Sequence, residues 1–128
     1  MKTLYAITER DPRYDVEAYL FLREALEYTV QKRKKEASGP LRHVTGQELA
    51  EGFREYALAQ FGPLALAVLQ KWGIHRTEDI GAIVFNLVEA GELGKTDQDK
   101  LEDFNAVYDF AEAFLQPFAP DKQPKASR

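Results

Sequence analysis

The residues best suited to chemistry are few. The chain has two histidines, His43 and His75, and no cysteine. His43 follows Arg42 and stands just ahead of Thr45 and Gly46, where a helix is predicted to begin. The open N–H groups and positive end of a helix attract anions. Arg42, His43, Thr45 and Gly46 are therefore a candidate anion or small-ligand site. A plainer reading covers the same residues: Thr45 and Glu48 have the spacing of a capping box, and a loop histidine can simply hydrogen-bond backbone. A general base needs a reacting partner, and no nucleophile is evident near His43. His75 reads as a turn residue, and two histidines so far apart in sequence do not make a metal motif.

Two other stretches imitate known sites. GELGKT, from Gly91 to Thr96, ends like a phosphate loop. Its glycine spacing is too short, however, and a helix rather than a strand precedes it. Asp97, Asp99, Glu102 and Asp103 have the flavour of a calcium loop. Leu101 falls at the fifth position of that loop and Tyr108 at the twelfth, where the loop needs a glutamate. No cofactor and no metal are expected, and the chain reads as a non-enzyme.

Charge bears on nucleic acid. Across 128 residues the net charge is −4, unevenly spread. From Arg10 to His43 eight Lys/Arg oppose six acids; from Val44 to Phe118 five oppose thirteen. The larger part is strongly acidic and repels a phosphate backbone. Lys32, Arg33, Lys34 and Lys35, with Arg76 beyond them, are the residues a nucleic-acid regulator would use. At the end of a helix, the four-residue basic run also suits the macrodipole.

The elements that must position these residues are helical. Val16, Tyr19, Leu22, Leu26 and Val30 make one stripe of a first helix capped by Asp15 and running to about Lys35. Phe21 and Tyr28 lie on a second face, so this helix is either sandwiched between neighbours or shared with a second subunit. Ser38-Gly39-Pro40 is a loop. Thr45 opens a second helix, with Val44 and Leu49 as a hydrophobic staple and Leu49, Phe53, Tyr56 and Ala57 facing inward. A third helix is predicted from Pro63 to Trp72, central and buried because LALAVL is apolar all round, with Gly73 as its cap. Thr77 caps a fourth helix bearing Ile80, Ile83, Val84, Leu87 and Val88 on one face. Its other face carries Glu78, Asp79, Ala82, Asn86 and Glu89, three carboxylates and one amide, which is poor equipment for reading bases.

Residues 92–104 read either as a short hairpin, around Leu93 and Leu101–Phe104, or as a short helix capped at Thr96. A last helical segment carries Val107, Phe110, Ala111, Phe114 and Leu115. The fold class is mostly α: about five helices around one core, with a helix-turn-helix-like or winged-helix-like half if the hairpin forms. Residues 1–118 are one domain and 119–128 a proline-containing tail. No run is long and apolar enough to span a membrane, MKTLYAITER lacks the apolar core of a secretion signal, and a cytoplasmic location is the default.

Read together, DPRYDVEAYLFLREALEYT, RHVTGQELAEGFREYALAQFGPLALAVLQKWGI, EDIGAIVFNLVEAGEL and KLEDFNAVYDFAEAF resemble the Minf-type family of small bacterial hypothetical proteins, a domain of unknown function. The resemblance runs from about Asp11 to Phe118. It implies a compact bacterial domain and brings no activity. It marks His43, Thr45, Gly46, Gly62, Pro63, Trp72, Gly73, Asp79, Asn86, Asp103 and Phe104 as matching positions. Similar sequences often carry an acid where Ala82 stands, so a role for that acid would be absent. The two-faced first helix and the missing catalytic set point to a protein-interaction or scaffold domain, as a homodimer or an adaptor. Phe21, Tyr28 and Phe85, each off its helix's main stripe, are the candidate contact surface.

Overall fold

A computed structural model describes residues 2–36, 44–93 and 101–118. It is a helical assembly with no strand among the described residues. Among the described residues six α-helices follow one another: α1 (Lys2–Arg10), α2 (Val16–Glu36), α3 (Gly46–Phe61), α4 (Ala65–Lys71), α5 (Thr77–Glu89) and α6 (Phe110–Phe114). Short 3-10 turns occupy Gly62–Leu64, Leu101–Phe104 and Gln116–Phe118.

The long helix α2 is the spine. Asp15 starts it, its carboxylate accepting from the Glu17 N–H at 2.8 Å. Both of its apolar faces are covered within the fold. Tyr19 and Leu22 are fully buried, and α2 packs on α5 and, most extensively, on α3. Phe21 reaches the α3 side, its ring 5.3 Å from that of Phe53 and 5.1 Å from that of Tyr56. The two-faced pattern of α2 thus reflects a sandwiched helix.

Helix α3 begins as its sequence predicts. The Glu48 N–H donates to the Thr45 hydroxyl at 3.1 Å, and the Thr45 N–H donates to the Glu48 carboxylate at 2.9 Å. Leu49, Phe53 and Ala57 are buried below. Thr29 of α2 presses on Gly52 of α3 so closely that a side chain there would meet its hydroxyl.

Two expected elements differ from the sequence reading, and one helix is additional. The segment Pro63–Trp72 is not a buried central helix: only Ala65 and Leu69 of α4 are enclosed, and Leu64 is 66% exposed. A 3-10 turn takes its start, leaving α4 only two turns long with one face in contact. The strand reading of Leu101–Phe104 is also wrong, because those residues form a 3-10 turn beside α5 and α3. The rest of the suggested hairpin, residues 94–100, lies outside the described residues. Finally, α1 was not foreseen. Leu4 and Ile7 of α1 are buried at one turn's spacing, and this short helix rests on α2.

The closing segment is fastened to two helices. Phe104 lies over Gly46 at the start of α3 and over Gly81 of α5, each without a side chain that would collide with the ring. The Thr77 hydroxyl donates to the Phe104 carbonyl at 2.6 Å and accepts from the Val107 N–H at 3.1 Å. Thr77 is therefore a buried pin and does not cap α5. The cap comes from Asp79, whose carboxylate reaches back to the N–H groups of His75 and Arg76. Tyr108 donates to the Ala50 carbonyl at 2.8 Å, and Phe110 and Phe114 enter the core below it.

Candidate functional site

At the start of α3, Arg42 and His43 lie outside the described residues, and the two neighbours that are described have structural tasks. The Thr45 hydroxyl and the Glu48 carboxylate serve the cap, and Arg33 donates to the same carboxylate at 2.9 Å. Gly46 is buried beneath Asp103 and Phe104.

The basic run of α2 is divided. Lys32 pairs with Glu55 at 2.7 Å and Arg33 with Glu48 at 2.9 Å, both acids of α3. Burial pulls the Glu55 carboxyl up, but the Lys32 ammonium and the Tyr28 hydroxyl reverse this and hold it below its ordinary value. These pairs stitch α2 to α3. Lys34, Lys35 and Arg76 stay exposed.

The three suggested contact residues separate. Phe21 is 5% exposed, at the centre of an aromatic cluster, and offers no outer surface. Tyr28 is half-buried, its ring 5.5 Å from that of Tyr56 and its hydroxyl donating to Glu55 at 3.0 Å. Phe85 alone stands outward, 50% exposed on α5. It has company that the sequence did not advertise. Gly81, one turn before Phe85 on the same side of α5, lies under Phe104. Leu101, one 3-10 turn before Phe104, is 53% exposed. The Leu101–Phe104 turn packs against α5. Two large exposed apolar side chains thus lie on this pair of packed elements, Phe85 on α5 and Leu101 on the turn.

The outer face of α5 also differs from its helical projection. Asn86 is half-buried and turns inward, its amide donating to Asp11 at 2.9 Å and to the Tyr19 hydroxyl at 3.1 Å. Asp79 accepts from the Tyr14 hydroxyl at 2.6 Å as well as capping α5. Glu78 accepts from the Ala106 N–H at 3.0 Å. The amide that seemed free to read a base is therefore part of a clamp binding the Asp11–Tyr14 segment to α5. Burial, followed by the neighbouring Asp79 carboxylate, pushes the Tyr14 phenol well above its ordinary range.

Asp11 is the ionised centre of this clamp. Hydrogen bonds from the Arg13 guanidinium, at 2.9 and 2.7 Å, hold its carboxyl far below the ordinary 3.8, with Asn86 adding to the effect. A depressed carboxyl contributes stability that is complete above the ordinary value and is lost as pH falls through the depressed one. Arg13 is 61% exposed, so solvent screening limits the contribution to about 1 kcal/mol. Asp11→Asn should lower stability by that amount at neutral pH. The gap from wild type should then shrink as pH drops below the ordinary carboxylate range. Chemical denaturation at both pH values checks this, and an unchanged gap would remove the ionic assignment.

Among the described residues no group of three His, Asp or Glu side chains gathers to hold a metal ion. No described helix is long and apolar enough to cross a membrane. Comparison with protein-family models, with curated proteins and with solved structures finds no match.

Proposed function

We propose that this domain acts by binding protein, and that its contact surface is the edge carrying Phe85 and Leu101. A single exposed apolar residue is ordinary on any soluble domain. Two on packed neighbouring elements are the beginning of a patch of the kind that marks contact sites. The exposure of both Phe85 on α5 and Leu101 on the turn packed against it is the observation that carries the reading. The polar groups nearby support it: Asn86, Asp79 and Glu78 are engaged in internal hydrogen bonds, which is scaffold work. The Minf-type resemblance adds no activity, and the proposal does not depend on it.

The version open to direct test is self-association. Light scattering from low micromolar to tens of micromolar protein should show a mass rising toward a dimer. Phe85→Glu with Leu101→Glu should return it to a monomer with an unchanged melting temperature, since neither side chain is in the core. A wild-type protein that stays monomeric throughout would end the self-association version.

A further inference from the structure

A cleft of about 550 Å³ opens between α2, the end of α3 and Trp72. Its walls are aromatic. The rings of Phe21, Phe61 and Trp72 form a nearly equilateral triangle, with centroids 5.4, 5.4 and 5.8 Å apart. Phe61 and Trp72 meet edge to face at 77°, and Phe21 stacks against Phe61 at 29°, so the three rings form one packed aromatic wall. Phe21, almost fully buried, closes the bottom. Phe61 and Trp72 are half-exposed and form the accessible part.

The rim decides the sign of the occupant. Glu17 and Glu24 both line the cleft and both are exposed. Glu24 keeps its carboxylate there, accepting from the Tyr56 hydroxyl at 3.0 Å. Arg23 is the one base among the described lining residues, and Glu92 pairs with it at 3.4 Å. Gln60 completes the polar rim without charge. Two carboxylates on the rim of an aromatic cleft repel an anion and attract a cation. An aromatic face attracts a cation within about 6 Å of its centroid. The half-exposed Phe61 and Trp72 are the rings an ammonium group in the cleft would meet, with Phe21 buried beneath them. A strongly hydrated metal ion gains little from ring faces, whereas an alkylated ammonium also buries its methyl groups against them.

We infer that the Phe21–Phe61–Trp72 cleft is a binding site for an alkylated ammonium group, of the trimethylammonium type. Such a group occurs on small free molecules and on methylated lysine side chains, and the chemistry at the cleft is the same for both. The site stands on different residues from the Phe85–Leu101 edge, so neither reading depends on the other.

Trp72 is the only tryptophan in the chain, and its fluorescence reports on this cleft. Titration with tetramethylammonium chloride and with choline chloride, each against sodium chloride at equal ionic strength, should give a saturable change in emission. The uncharged analogue of choline, with a tert-butyl group in place of trimethylammonium, should bind at least about fivefold more weakly, the cation–π share of the attraction. Phe61→Leu should weaken binding about tenfold by removing one of the two accessible rings of the cleft. Glu17→Gln with Glu24→Gln, both on the surface, should weaken it roughly two- to fivefold. This double variant tests the site even if Phe61→Leu fails to fold. A trimethyllysine peptide that binds more tightly than choline would place the group on a protein partner; equal or weaker binding would place it on a free molecule. No saturable change with either salt, or equal affinity for the uncharged analogue, would overturn the inference.

Discussion

Replacing Gly73 with alanine is expected to destabilise the protein by about 3 kcal/mol, from left-handed strain and overpacking together. Gly73 has φ +96° and ends the turn after α4. Its N–H donates to the Gln70 carbonyl at 3.0 Å, and the next residue, Ile74, donates to the Leu69 carbonyl at 2.9 Å. A methyl group at this position would run into the carbonyl oxygen of Arg13. That oxygen is backbone, and its neighbours are held: the Asp15 N–H donates to the Trp72 carbonyl at 3.1 Å, and Tyr14 is tied to Asp79. Neither side can yield cheaply. For a chain of this size the loss corresponds to a melting temperature lower by about 10 °C. Gly91 supplies the control. It also has positive φ, +78°, and ends α5 with the same pair of backbone bonds, but a side chain there meets nothing within 4 Å. Gly91→Ala should therefore cost about 1 kcal/mol, the conformational part alone. Equal losses for the two variants would show that the close approach of Arg13 is not what requires a glycine at 73.

Thr77→Val is the second large effect, about 2–3 kcal/mol, because the isostere leaves two backbone groups without their partner. Thr77 is wholly buried, and its one hydroxyl both donates to Phe104 and accepts from Val107. Valine fills the same space, so packing is held nearly constant and the hydrogen bonds are isolated. Thr77→Ser keeps the hydroxyl and should recover at least half of the loss. Hydrogen exchange gives the location: amides from Leu101 to Val107 should lose protection, while those of α2 and α3 keep theirs. Uniform loss of protection across the domain would contradict a local pin. Because Leu101 sits on that segment, the variant should also weaken any self-association through the proposed edge.

The parts of the fold legible in the sequence were those determined by neighbours in the chain. The Thr45–Glu48 box spans one turn, and both of its bonds form. Ile80, Ile83 and Leu87 repeat at helical spacing, and all three are completely buried. The Gly73 turn follows from a residue that tolerates positive φ. Long-range partners were invisible. Asn86 looked like an exposed amide because its partners, Asp11 and Tyr19, are far away in sequence. Thr77 had the sequence position of a cap, but a carboxylate two residues later does that work. Phe21 looked surplus to its stripe, and only α3 and Trp72 reveal that it has ring neighbours on several sides. Helix α1 escaped because two buried residues in nine, Leu4 and Ile7, are too few for a period to register.

The same limit applied to the candidate sites. Exposure at Phe85 follows from its place off the α5 stripe, so the sequence reached it. Leu101 belongs to a turn whose position depends on Phe104 fitting over two glycines. The aromatic cleft needs three rings from α2, the end of α3 and the turn after α4. No spacing rule joins Phe21, Phe61 and Trp72.

The ring of Phe104 behaves like a shim of fixed thickness between α3 and α5. Gly46 and Gly81 are the recesses that admit it. Volume added at either recess has to be removed from residue 104, so three positions scattered along the chain share a single steric allowance. A substitution at one of them is best tolerated when another changes in the opposite sense, and the separation of the two helices, with the angle of the edge they carry, would shift with the pair.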